Sequence, residues 1–228
     1  MGLDPDPEED QYKLERLRMV HEQLSGRDIA DVRVLAAMRA VPRHHFLPGD
    51  LRHLAYHDGP LPIGRDQTIS QPYIVALMTQ LLELVGSETV LEVGTGSGYQ
   101  TAVLAQLARR VYSLERIEQL ANQAAGRLGE LGVDNVEIHV GDGTQGLPDQ
   151  APFDGILVTA AAPAAPPPLT AQLAAGGRLV IPIGARDSQY LERWKRTGEA
   201  WHIERLSPVM FVPLVGRYGQ GDESWKWM

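Results

Sequence analysis

The run Val90-Leu91-Glu92-Val93-Gly94-Thr95-Gly96-Ser97-Gly98-Tyr99 leaves few folds open, because an apolar strand breaks into three alternating glycines and then enters a helical pattern. Glycine tolerates positive φ and lets the backbone approach a ligand where a Cβ would clash. The N-terminus of the following helix adds unpaired N–H groups for a polar ligand. The spacing, G-x-G-x-G, is not the G-x-G-x-x-G of dinucleotide sites. Glu115 closes the next apolar strand, about where a carboxylate would accept both ribose hydroxyls of an adenosine. A third loop, Gly141-Asp142-Gly143, points to the same ligand. The combination fits S-adenosylmethionine better than a dinucleotide.

Around this motif the chain alternates. Strand-like runs fall at 89–93, 111–115, 136–140, 153–159 and 178–183, separated by helical patterns at 99–108, 117–131 and 168–175. Such alternation demands a doubly wound, mostly parallel α/β sheet. Segments 190–195 and 201–206 alternate around Thr197-Gly198, as in an antiparallel hairpin at the sheet edge. Before the core, Leu14, Leu17 and Leu24, then Val32, Leu35 and Met38, predict helices over 11–24 and 31–41, the second stopped by Pro42. Residues 48–70 carry glycines and prolines with little periodicity and read as a long irregular loop. Ile74, Leu77, Met78, Leu81, Leu82 and Val85 then keep the spacing of a core-facing helix ending near Gly86. The expected organisation is one domain over 1–228: a disordered leader at 1–10, N-terminal helices and loop at 11–70, a ligand-binding core at 71–185, and a hairpin and tail at 186–228.

Composition removes several function classes. Apolar residues make up 43% of 228, enough for a sizeable core, yet no run approaches the roughly 18 apolar residues of a membrane span. The acidic, proline-bearing start has no hydrophobic region, so a cytoplasmic location is expected. Without cysteine there are no disulfides, thiolate metal sites or cysteine nucleophiles. A net charge of −8 argues against a nucleic-acid surface, and a monomer is expected. His44-His45, with His53 and His57 nearby, invite a metal reading. No acidic or cysteine partner completes the set in sequence and adjacent histidines do not easily share an ion, so no metal is expected.

The chain resembles the protein-L-isoaspartate (D-aspartate) O-methyltransferase family. The likeness rests on Leu61-Pro62-Ile63-Gly64 with Gln67-Thr68-Ile69-Ser70-Gln71-Pro72-Tyr73, on Leu91 through Ala102, on Gly141-Asp142-Gly143 and Pro152-Phe153-Asp154, and on Val158-Thr159-Ala160-Ala161 and Phe211-Val212-Pro213-Leu214. It implies a Rossmann-like class I methyltransferase fold with N-terminal helices and a C-terminal antiparallel hairpin. It also implies methyl transfer from S-adenosylmethionine to the free α-carboxylate of isoaspartyl residues in damaged proteins, the ester then closing to a succinimide. By the same resemblance Ser70 is the active-site serine, and Gln67, Thr68, Ile69, Glu92, Gly94, Thr95, Gly96, Ser97, Gly98, Glu115, Arg116, Asp142 and Gly143 surround the donor. Asp142 or the Gly143 amide would meet the adenine edge, and Gln220 and the tail Trp225-Lys226-Trp227 are further candidates near the pocket.

Each assignment has a structural alternative. Ser70 stands where an N-cap belongs, Asp-Gly is a common turn pair, buried Glu92 needs partners of any kind, and Glu115 suits a helix start. A carboxylate is already ionised at neutral pH, so transfer from a sulfonium needs alignment rather than a base, and alignment can supply roughly 7–11 kcal/mol. Two other functions stay open from the sequence: methylation of an aspartate in a dedicated peptide during its maturation, and donor binding without catalysis.

Overall fold

The computed structural model describes residues 7–221. Helix α1 (Pro7–Met19) starts earlier than the apolar spacing predicts, because Pro7 suits a first turn and Glu8, Glu9 and Asp10 favour the positive end of the helix dipole. Residues 7–10 are therefore helical rather than a disordered leader. The chain continues through the wide turn Val20–Ser25 to α2 (Val32–Ala40), whose first turn is capped by Asp31 accepting the Arg33 amide.

Residues 48–70 are ordered, not an irregular loop. After the 3-10 turns Arg43–Phe46 and Gly49–Leu54, β1 (Leu61–Gly64) and β2 (Gln67–Ile69) form a hairpin. Its turn puts Gly64, Arg65 and Asp66 at φ of 88°, 55° and 56°. This left-handed turn matches strand twist, but without Asn-Gly it leaves no mark in the sequence. Arg65 is held from outside, its Nε donating to Gln119 Oε1 at 2.8 Å.

Helix α3 (Pro72–Leu81) stops short of the predicted Gly86. Glu83, at φ 50°, turns the chain and pairs with Arg178 and Arg193, so Val85 is exposed rather than core-facing. The elements β3 (Thr89–Val93), α4 (Tyr99–Ala105), β4 (Arg110–Glu115), α5 (Glu118–Glu130), β5 (Val136–Val140) and β6 (Phe153–Val158) follow the expected alternation closely. Helix α6 (Pro167–Ala171) is shorter than predicted, because Leu173 already pairs with Phe153 and opens β7 (Leu173–Ala185). With β8 (Ser188–Thr197) and β9 (Ala200–Val209) it makes an antiparallel extension longer than the expected hairpin.

The sheet order is β5-β4-β3-β6-β7-β8-β9, with β5 through β7 parallel. The chain runs outward from β3 to β5 and returns to β6 on the other side, so a crevice opens beyond the carboxyl ends of β3 and β6. Alternate strand residues serve two cores. Val90, Val111, Leu157 and Val180 pack with the N-terminal helices, while Leu91, Leu114, Ile156 and Leu179 face α6. After β9 the chain crosses back over the crevice: Leu214 N donates to Ala161 O at 2.8 Å, and Ala161 N to Val212 O at 2.8 Å. Among the described residues no helix is long and apolar enough to cross a membrane.

Candidate active site

The crevice is a cleft of about 760 Å³, counted out to its open mouth. Its floor is the glycine loop. Gly94 sits at φ 97°, and a Cβ there would lie 2.2 Å from the Thr159 hydroxyl oxygen, which donates to Gly94 O at 2.7 Å. Two neighbouring strand ends are thus locked together where only glycine fits. Gly143 likewise brings the third loop against the first strand, where a Cβ would meet Val93 Cγ1 at 2.4 Å.

Glu115 is buried at the end of β4, with Oε2 accepting Gly96 N at 2.8 Å and Oε1 accepting Ile117 N at 3.0 Å. Two amides therefore aim a carboxylate into the cleft. An ionised carboxylate offers about four lone-pair sites, so these bonds leave capacity for two ribose hydroxyls. The cradle thus fits the adenosine end of S-adenosylmethionine, with Gly94, Thr95, Gly96 and Ser97 beneath and Glu115 alongside.

Of the residues expected from the sequence, Gln67, Thr68, Ile69, Ser70, Gly94, Thr95, Gly96, Ser97, Glu115, Arg116 and Gly143 line the cleft; Glu92, Gly98 and Asp142 stand behind it. Glu92 is fully buried, and its partners are hydroxyls rather than loop amides: Thr101 and Ser113 both donate to Oε2 at 2.5 Å. Burial pushes its carboxyl up to about 8. Ser113 also meets the Thr95 hydroxyl at 2.6 Å, so Glu92 reaches the loop through one intermediary. Gly98 starts α4 against Ala124.

While the neighbouring Gly143 lines the cleft, Asp142 also ties two segments together. Its carboxylate accepts Thr144 N at 2.9 Å, Thr144 Oγ1 at 2.7 Å and Arg217 N at 2.9 Å, tying the third loop to the segment after β9. These bonds hold its carboxyl below the usual range although burial opposes them. Gln220 bonds Leu214 through its backbone and lies away from the cleft. Residues 225–227 lie outside the described residues.

Ser70 is half-buried at the junction of β2 and α3. Gln71, not Ser70, occupies the N-cap place, and no side chain caps the helix. The Ser70 hydroxyl has no protein partner among the described residues. It stands on the wall shared with a second, more apolar hollow lined by Ile74, Pro208, Met210 and Phe211; Thr68, Thr159 and Val212 belong to both. Thr159, Ala160 and residues 212–215 are cleft residues absent from the sequence-derived set. Thr159 was findable, since it follows β6 at the point where strand order reverses.

A sheet of this order, with a glycine loop at its switch point and the antiparallel β7–β9 edge, places the chain among the Rossmann-like methyltransferases that use S-adenosylmethionine. Sequence comparison narrows the class. The protein-L-isoaspartate(D-aspartate) O-methyltransferase (PCMT) family matches residues 15–219, and the chain belongs to that family. Protein-L-isoaspartate O-methyltransferases from Methanoregula boonei and Opitutus terrae are 56% and 58% identical to it, covering 90% and 88% of this chain and 94% and 87% of theirs. A solved protein-L-isoaspartate O-methyltransferase superposes with a TM-score of 0.81 at 26% identity, over 91% of this chain and 67% of that one. A Plasmodium falciparum structure described as a beta-aspartate methyltransferase (PCMT), in complex with S-adenosyl-L-homocysteine, gives 0.76 at 28%, over 88% and 98%.

Proposed function

We propose that the chain methylates the free α-carboxylate of L-isoaspartyl residues in damaged proteins, and that Ser70 positions that carboxylate. Family membership supports the activity. The observation that supports the role of Ser70 is its place on the wall between two hollows, one built for the donor and one open for a peptide.

S-adenosylmethionine supplies an electrophilic sulfonium methyl. As the carboxylate oxygen bonds the methyl carbon the sulfur–carbon bond breaks, leaving a neutral thioether, and no proton moves. The chain's own work is alignment and exclusion of water. Glu115 and the glycine loop hold the donor side. The Ser70 hydroxyl donates to the substrate carboxylate and leaves its second oxygen free to attack. Ile69, Val212, Leu214 and Val215 supply apolar walls. The methyl ester, unlike a carboxylate, can expel methoxide, so the following peptide nitrogen attacks the ester carbonyl, gives up its proton and closes the succinimide with release of methanol, without the enzyme.

Purified protein incubated with methyl-labelled S-adenosylmethionine and paired peptides differing only in Asp or isoAsp tests this. The expected result is base-labile methyl ester, released as methanol, on the isoAsp peptide alone. Transfer to neither peptide, with donor binding intact, overturns the repair reading in favour of a dedicated peptide substrate or of donor binding without catalysis. A monomeric state, a cytoplasmic location and protein rather than nucleic acid as substrate belong to the same reading. Light scattering, cell fractionation and competition by RNA check them in turn.

A further inference from the structure

Away from the cleft, three donor side chains converge where α1 crosses the turn Arg43–Phe46. His44 Nε2 lies 3.0 Å and His45 Nε2 3.2 Å from the same oxygen, Glu9 Oε1. The three candidate ligand atoms all lie within 4.8 Å of one another. The tight turn accounts for the unusual approach of sequence neighbours, setting the two rings edge-to-face at 4.4 Å. His44 cannot swing aside. Tyr12 stacks on it at 4.1 Å, and its Nδ1 lies 2.7 Å from the Tyr56 hydroxyl, which also accepts from Arg16 at 3.3 Å. Imidazoles that bind metal are ordinarily fixed through their second nitrogen in this way. Burial is graded across the cluster: the His44 side chain is 1% exposed, those of His45 and Glu9 39% and 51%, so one side is walled by aromatic rings and the other faces water.

We propose that Glu9, His44 and His45 form a binding site for a divalent first-row transition cation, zinc foremost, with water completing the shell. Two imidazole nitrogens and one carboxylate oxygen suit zinc and are too rich in nitrogen for calcium or magnesium. Both Nε2 atoms bind as lone-pair donors, and the remaining His44 proton sits on Nδ1 and is donated to the Tyr56 oxygen. The expectation of no metal rested on the lack of an acidic partner for the histidine pair and on the difficulty of adjacent histidines sharing an ion, which the tight turn relieves. Glu9 is that partner, supplied by a helix that the sequence reading began too late. The cation fastens the first turn of α1 to a turn whose Phe46 packs on Tyr99, ring centroids 5.6 Å apart, at the start of α4. It acts one layer behind the glycine loop and takes no part in methyl transfer.

The test uses the full chain, free of any affinity tag and stripped with a chelator. It is titrated with Co²⁺ and read by visible absorption, then challenged with Zn²⁺. One equivalent of Co²⁺ is expected to give intense tetrahedral bands that one equivalent of Zn²⁺ abolishes. Zn²⁺ held at about 100 times its Kd should raise the folding constant about a hundredfold. Glu9→Gln and His45→Ala change exposed side chains and fold normally; each should weaken binding about tenfold or more, while a His53→Ala/His57→Ala double variant binds as wild type. Absence of stoichiometric binding overturns the proposal. So does binding of equal strength in the Glu9 and His45 variants, which would mark adventitious surface histidines.

Discussion

On the donor side of the cleft the amides of the three loop glycines are already spoken for: Gly94 N donates to Leu114 O, Gly96 N to Glu115, and Gly98 N to Thr95 O. On the acceptor side the Ser70 hydroxyl has no partner among the described residues, and the neighbouring walls are apolar. The contrast follows from what each side must do. One ligand of constant shape can be met by a surface whose dipoles are fixed in advance, which costs nothing to reorganise at the moment of binding. Peptides differing around one shared carboxylate are better met by a single unspent donor set in surfaces that make few directional demands.

Glu115→Ala gives the sharpest break of this contrast. It removes an ionised acceptor for two loop amides and for the ribose, so binding of S-adenosyl-L-homocysteine should weaken about a hundredfold, as charged hydrogen bonds of this kind warrant. Calorimetry showing wild-type affinity would mean that the donor wall is not organised by its carboxylate. Ser70→Ala should act on the other side alone, with turnover on the isoAsp peptide down about tenfold to a hundredfold and homocysteine-product binding unchanged. A variant with full turnover removes the acceptor role from Ser70.

Asp142→Ala tests the seam between the third loop and the segment after β9. Loss of its bonds to Thr144 and Arg217 should lower stability by about 1–3 kcal/mol, roughly 2–4 °C in Tm for each kcal/mol. An unchanged Tm would show that the seam is held elsewhere. Glu92→Gln is read through a pH series. Burial lifts this carboxyl to about 8, whereas in the unfolded chain it lies near ~4.3. Its contribution to stability is therefore full below the unfolded value and is lost as pH rises through the folded one. The variant should flatten the decline of stability across that window, and a decline as steep as wild type would place its origin in another group.

The parallel core was legible because its signals are local and mutually consistent: apolar strands, glycines at strand ends, and Glu115 one strand along. The hairpin at 61–69 was not, since Arg65-Asp66 adopts a left-handed turn with support from Gln119, far away in sequence. The tie from Asp142 to Arg217 was not legible, because Arg217 comes from a segment no spacing rule connects to it. Glu9 escaped for the same reason. The role proposed for Ser70 came only through family likeness, as its local context is equally that of a cap.

The crossing of residues 211–215 over the crevice carries a consequence for how the molecule comes into being. Every strand of the sheet is synthesised before these residues, yet Val212 and Leu214 close the cleft by their bonds to Ala161. Domains begin to fold as they leave the ribosome, N-terminal parts first, so a nascent chain has its scaffold before it owns a finished pocket. Ribosome-bound chains ending at residue 210 and extended by a linker long enough to fill the exit tunnel should resist protease in their core while failing to retain S-adenosyl-L-homocysteine. Competence for repair then arrives only after the sheet itself is complete.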